Sequence, residues 1–347
     1  MSGTKSTRIG HARGRRSGPD ALDPELIRLS VVVILGAIMS ILDTTIVNVA
    51  IDTLSRDFHS PLSTIQWVST GYLLALSIVI PVSGWAVERF GAKRMWIMSL
   101  VIFLIGSVLS GAAWSAESLI IFRILQGLGG GMIMPIGMSI MAQAAGPQRI
   151  GRVMSVLGVP MLLAPILGPV IGGLIVTNVS WRWIFYLNVP IGIVAIAAAV
   201  KRLPTVTNIR KPRLDIVGLL LLSPGLALIV YGLSKLGGTS SGESAAVPLV
   251  IGALLVASFG YHAWVTAPSE QRSKHAKRRD RAEPLIDVHL FTDRSFLPAS
   301  LTSFGFGAAL FGALILLPLY YQVDRGESAL VAGLLIAPQG IGAALVM

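Results

Sequence analysis

The sequence predicts an all-α polytopic transmembrane helical bundle, and three observations carry that prediction. Hydrophobic residues make up 53% of the 347-residue chain and charged residues only 13%, with a mean hydropathy of +0.74, whereas soluble domains carry roughly 25% charge. Ten apolar runs approach the ~20 residues that a helix needs to cross the hydrocarbon of a bilayer. The basic residues collect in alternate connections between those runs, as the positive-inside rule requires.

The runs are 26–50, 65–87, 95–114, 119–142, 153–176, 183–200, 216–234, 246–267, 296–323 and 329–347. The Arg/Gly/Ser-rich segment before the first reads as a disordered tail. That first run is a full span without a small-residue cleavage pattern, so it is not a signal peptide. The fifth run holds Pro160, Pro165 and Pro169 among small residues, which predicts a kinked, closely packed helix. The ninth is long enough to tilt or to include an interfacial turn. With the N-terminus cytoplasmic, only Arg56, Arg182, Lys235 and Arg325 of the 28 Lys and Arg fall outside, and Arg123 lies within a span. The chain is therefore expected in the cytoplasmic membrane.

The same placement explains the net charge of +11. Basic residues spread over five loops are anchors for the anionic cytoplasmic leaflet, and they lack the single clustered face of a nucleic-acid reader. Absence of cysteine excludes a disulfide framework, a thiolate metal site and a cysteine nucleophile. His, Asp and Glu show no metal-ligand spacing, and no Ser/His/Asp set shares a depth, so enzymatic activity, metal and cofactor are not expected. His262 and His289 read as interfacial bystanders, and the Asn178 glycosylation triplet lies too close to a span for use.

Ionisable side chains inside a membrane are functional candidates by default. Asp43 lies about two thirds along the first run, and Arg123 one turn into the fourth. A carboxylate and a guanidinium at comparable depth can pair across helices, and protonating the carboxylate would release the pair. That chemistry serves a proton-coupled switch, and it serves equally a permanent structural ion pair. After Arg123, the residues Gln126, Gly127, Gly129, Gly130 and Gly131 form a small-residue face that lines a cavity or packs against a neighbour.

Particular strings are less generic. The turn after the second span, with Gly84, Glu88, Arg89, Gly91, Lys93 and Arg94, resembles the signature loop of the major facilitator superfamily, with Glu88 where that family usually has Asp. Residues 119–131 resemble its fourth-helix motif. The string containing Pro165, Gly168, Pro169, Gly172 and Gly173 resembles its antiporter motif, with Ser155 and Ala164 in place of two glycines. The stretches 42–50, 67–74 and 181–190 are together similar to the fourteen-span drug:proton antiporters of the EmrB/QacA type, with Asp52 where a proline is common.

The resemblance implies a basic tail over 1–25, a six-helix N-terminal half over 26–200 and a linker over 201–215. Two inserted spans (216–267), a basic linker (268–295) and a partial C-terminal half (296–347) follow, so about ten of fourteen expected spans are present. It implies export of small apolar or cationic compounds in exchange for protons, with the proton gradient in place of a cofactor. Asp43 and Arg123 would couple protons, 165–173 would form the gate, and Glu88, Arg89, Lys93 and Arg94 a cytoplasmic latch. Asn48, Gln126 and Gly127 are the cavity candidates. The second reading is a truncated, non-transporting remnant or a membrane assembly partner.

Overall fold

The computed structural model of the chain describes residues 23–204, 212–236, 245–266 and 284–327, with isolated positions 331, 335 and 338. The expected tail up to residue 22, most of the 268–295 linker and nearly all of the tenth run lie outside the described residues.

Helix α1 (Pro24–Asp57) starts at Asp23, whose carboxylate accepts from the backbone of Glu25, with Pro24 in the first turn where no backbone donor is needed. It runs seven residues past the expected end at 50. Asp52 and Arg56 pair one turn apart on its exposed extension, and Asp57 accepts from the indole of Trp181 at 2.8 Å. The second run breaks into α2 (Leu62–Val79) and α3 (Val82–Phe90) around Pro81, which lacks the N–H that a continuous helix would use. Gly91, at φ 88° and ψ 142°, makes the sharp turn into α4 (Ala92–Gly111), a conformation that strains any residue with a Cβ.

A reciprocal cap between Ser115 and Ser118 opens α5 (Ala116–Asn178). Its one non-helical residue is Gly146, at φ 68° and ψ 173°, which separates two arms, 116–145 and 147–178. Leu119 and Ile175 belong to one apolar cluster and Met141 and Val153 to another, so the arms run antiparallel and correspond to the fourth and fifth runs. The backbone stays helical through Pro160, Pro165 and Pro169. Gly146, the residue free to adopt positive φ, thus makes the turn between the fourth and fifth runs.

The sixth run divides at Leu187, whose own backbone stays helical, into α6 (Arg182–Tyr186) and α7 (Asn188–Arg202); Pro190 offers no N–H to the Tyr186 carbonyl, so this joint lacks one helical hydrogen bond. Helices α8 (Ile216–Leu236) and α9 (Ala246–Thr266) follow. A short 3-10 turn (Val288–Thr292) precedes α10 (Phe296–Leu319), which ends in a π turn (Tyr320–Asp324). Among the described residues seven stretches are long and apolar enough to cross a membrane: Pro24–Asp57, Leu62–Val79, Ala92–Gly111, Ala116–Gly146, Arg182–Arg202, Ile216–Leu236 and Ala246–Thr266.

Packing divides α1 to α7 into two apolar layers. The layer toward the basic end holds Val33, Trp96, Phe103, Ile133, Met141 and Leu203; the opposite layer holds Ile46, Val68, Leu119, Trp181 and Phe185. Small residues let the helices approach: a Cβ on Gly106 would lie 2.5 Å from the backbone of Gln126, and one on Gly129 2.4 Å from the Phe103 nitrogen. Helices α8 and α9 pack against each other through Gly225 and Gly252, and α8 leans on α2 through the Ser223 hydroxyl, which donates to the Ile78 carbonyl at 2.7 Å. Helix α10 leaves Leu301, Phe304 and Phe306 exposed.

The close helix approaches can be checked by thermal unfolding in detergent. Gly106→Ala and Gly129→Ala should each cost about 1–3 kcal/mol by overpacking, whereas Gly260→Ala, with nothing within 4 Å of its Cβ, should be near neutral.

Candidate functional site

Between the two apolar layers lies a polar one. Met39 and Ile46 on α1 belong to different clusters and Asp43 falls between them; Leu119 and Met132 on α5 bracket Arg123 and Gln126. Phe103 and Ala113 bracket Ser107, and Phe185 and Ala195 bracket Asn188. Four helices thus deliver one polar group each, or two, to a single depth. The periodicity of each helix turns those groups inward because its apolar neighbours fill the layers above and below.

The layer centres on an ion pair between Asp43 Oδ2 and Arg123 Nη1. Asp43 is 0% exposed and Arg123 1%. Two isolated charges at such a depth would each cost several kcal/mol, so their partners decide whether the site is tenable. Gln126 Nε2 donates to Asp43 Oδ1 at 2.8 Å, and Asn188 Nδ2 donates to the same oxygen at 3.0 Å. The carboxylate therefore receives side-chain donors from both α5 and α7. Arg123 donates in addition to Gln126 Oε1 at 2.9 Å and, from Nε, to the Val68 carbonyl at 3.3 Å. Its guanidinium lies 4.1 Å above the ring of Tyr72 and 5.7 Å from that of Phe185. Arg123 consequently has partners besides Asp43.

The network continues away from the pair. Asn188 Nδ2 also donates to Ser107 Oγ at 3.0 Å, and Ser107 Oγ donates to the Phe185 carbonyl at 2.8 Å. Tyr72 and Ser40 hydroxyls are 3.4 Å apart. Asn188, Ser107 and Tyr72 were not singled out by the sequence. An asparagine within an apolar run is a readable signal, since a buried amide needs partners. A serine in such a run carries none, because it commonly bonds its own helix.

The cavity candidates separate. Asn48 is exposed and accepts from the Ser69 hydroxyl at 3.1 Å. Gln126 is fully buried inside the ion-pair network, and a Cβ on Gly127 would sit 2.6 Å from the Tyr72 carbonyl. Both are packed between helices and neither faces open space: the small-residue face of the fourth run serves close packing. The residues of the antiporter-like string meet the helix that carries Asp43. A Cβ on Gly168 would collide with the Thr45 hydroxyl at 2.0 Å, and one on Gly172 would lie 2.8 Å from Ile46. Pro165 and Pro169 are half-buried, and Gly173 faces open space.

At the basic end, Lys93 Nζ donates to the Val200 carbonyl at 2.8 Å, meeting the C-terminal turn of α7 where a cation is favoured. Arg89 Nη1 and the Trp85 indole both donate to the Pro212 carbonyl, at 3.4 and 3.2 Å. Glu88 and Arg94 are exposed, as is Gly84, whose Cβ would meet nothing. Two of the four charged latch candidates thus hold backbone carbonyls, which ties the segment leading into α8 to α3. Asp215 accepts from the Gly218 backbone at the start of α8 and lies 3.0 Å from His262 on α9; His289 stacks on Trp264 at 4.4 Å. Both histidines therefore have partners at the ends of α8 and α9. No group of three or more metal-ligating side chains occurs among the described residues.

Loss of the Pro212 anchor should free the segment that follows. In vesicles exposing the basic end, Trp85→Phe combined with Arg89→Ala should speed tryptic cleavage after Arg213 several-fold, since local opening limits such cleavage. Unchanged cleavage would show that the two donors do not hold it.

Over residues 33–347 the chain matches the family model described as Major Facilitator Superfamily. A multidrug resistance protein B homolog of Mycobacterium tuberculosis is 41% identical over 336 residues, covering 96% of this chain and 60% of its own length. Multidrug export protein EmrB of Haemophilus influenzae is 32% identical over 318 residues, covering 91% and 60%. The chain thus spans about 60% of the length of these relatives. Among solved structures, the proton:xylose symporter XylE bound to 6-bromo-6-deoxy-D-glucose aligns with a TM-score of 0.58 at 14% identity, over 91% of this chain and 66% of its own. The peptide transporter POT in complex with sulfate aligns with a TM-score of 0.55 at 15% identity, over 89% and 63%. At these identities the structural likeness speaks for the fold alone. A family match over nearly the whole chain, together with a helical fold shared by solved transporters, assigns the protein to the major facilitator superfamily, to which it belongs.

Proposed function

We propose that the protein acts in the cytoplasmic membrane, N-terminus inside, as a secondary transporter that exports small apolar or cationic compounds in exchange for protons. The observation that carries this reading is the fully buried Asp43–Arg123 pair. Such a pair is costly to maintain in a membrane and contributes little that a well-packed apolar pair would not. The printed names of the relatives, multidrug resistance and multidrug export, support the substrate class. No cofactor is required; the proton gradient supplies the driving force.

In this mechanism the outward-facing state takes a proton at Asp43. Neutralising the carboxylate weakens its attraction to Arg123, which remains held by Val68, Gln126 and the face of Tyr72. With the electrostatic tie between α1 and α5 loosened, the inward-facing arrangement gains population. Binding of a compound there, with charge or desolvation that disfavours the protonated site, returns the proton to the cytoplasm. The contacts of Gly168 with Thr45 and of Gly172 with Ile46 place the antiporter-like helix against the segment of α1 whose charge changes. Glu88, Arg89, Lys93 and Arg94 serve as the cytoplasmic latch, and Asn48 as a polar contact for the cavity.

The test uses everted membrane vesicles containing the complete gene product, with ethidium as the transported cation. Asp43→Asn should abolish accumulation driven by a proton gradient while membrane insertion stays normal, and Arg123→Ala should be as damaging. Unimpaired proton-driven accumulation by Asp43→Asn would overturn the coupling role.

A further inference from the structure

The hydrogen-bond polarity of the buried layer has a direction. Asp43, when ionised, accepts from Arg123, Gln126 and Asn188, and Asn188 spends its one amide nitrogen on both Asp43 and Ser107. The Ser107 hydroxyl, accepting from Asn188, sends its own hydrogen on to the Phe185 carbonyl. Adding a proton to Asp43 turns one acceptor into a donor that faces donors, and a buried donor without an acceptor costs about 1–3 kcal/mol. One of the surrounding amides has to present its oxygen.

Gln126 is held against doing so, because its Oε1 already accepts from Arg123, and turning it would aim N–H groups at the guanidinium. Asn188 has no such restraint from Arg123. Half a turn about its last side-chain torsion places Oδ1 where it can accept from protonated Asp43 and from Ser107 together, using both lone pairs. Ser107 then withdraws its hydrogen from the Phe185 carbonyl. That carbonyl belongs to α6, two residues before the Leu187 joint with α7. The ionisable groups around Asp43 are Arg123 from α5 and Tyr72 from α2, while α4 and α7 contribute Ser107 and Asn188.

We propose that Asn188 is a positioning residue that transmits the protonation state of Asp43, through Ser107 and the Phe185 carbonyl, to the joint between α6 and α7. This rests on the proposed proton-binding role of Asp43, and it adds which residue senses that proton and which part of the fold responds.

Residues 1–347 contain no cysteine, so Leu187→Cys in the complete gene product, with any other cysteine replaced by serine, supplies a single labelling site at the joint. With the chain in liposomes, its reaction with a membrane-permeant maleimide is followed from about pH 5 to about pH 8, and the thiolate fraction is divided out. The corrected rate should be higher at the acid end by at least roughly threefold, because the joint loosens when Ser107 releases Phe185. Asp43→Asn should hold the rate at its acid-end value throughout. Asn188→Leu and Ser107→Ala should each abolish the pH response; a structural role alone would shift the rate equally at every pH. Hydrogen exchange of the 180–190 segment repeats the measurement without a substitution at the joint. Retention of the full response by Ser107→Ala, in both measurements, would overturn the relay. If Asp43→Asn still exports ethidium on a proton gradient while the labelling response depends on Ser107, the coupling role fails and the relay stands. The opposite pattern removes the relay and leaves the coupling.

Discussion

The attraction between Asp43 on α1 and Arg123 on α5 sets the condition that the rest of the helical core must meet. A carboxylate and a guanidinium with no exposure to solvent are tolerable only when almost every lone pair and N–H around them is used. Gln126 and Asn188 supply donors to the carboxylate, and Gln126, Val68 and Tyr72 partner the guanidinium. Bringing these groups within bonding distance requires four helices to converge at one depth. The glycines at 106, 127 and 129, which let α4, α2 and the first arm of α5 nearly touch backbones there, follow from that requirement. The two apolar clusters above and below complete it by excluding water, which would otherwise weaken the pair.

The same arrangement gives the site tolerance to the change of charge proposed for Asp43. Arg123 has neutral and aromatic partners besides Asp43, so a proton removes one interaction from several rather than orphaning a buried cation. Around the core, the anchors are of a different kind. Lys93 on the Val200 carbonyl, Arg89 and Trp85 on the Pro212 carbonyl, and Ser223 on the Ile78 carbonyl are all hydrogen bonds to backbone, insensitive to protonation of a carboxylate. Helices α8 and α9 are thereby attached to the α1–α7 bundle by contacts that do not depend on the state of Asp43.

Much of this was legible in the sequence because the bilayer imposes a simple code. Twenty-residue apolar runs locate helices, and an ionisable residue within one stands out, so Asp43 and Arg123 were identifiable without any structure. What remained hidden depends on closure in three dimensions. Gln126 and Gly127 read as a polar, small face that lines a cavity or packs, and only the placement of α2 and Asp43 shows that both are packed inside. The prolines of the fifth run stand out locally, whereas the turn between the fourth and fifth runs rests on Gly146, where a positive φ is available at no steric cost. Asp215 and His262 lie 47 positions apart, and nothing local in either marks the pairing. Helix α1 outlasts its apolar run because the Asp52–Arg56 pair and the Trp181–Asp57 bond support polar turns beyond it.

The central claim is that a compound and a proton compete through one carboxylate. Calorimetric titration of the complete gene product with tetraphenylphosphonium, repeated in buffers of different ionisation enthalpy, counts the protons released on binding. Release of about one proton per cation bound is expected, falling to none in Asp43→Asn. Equal proton release with and without the Asp43 carboxylate would contradict it.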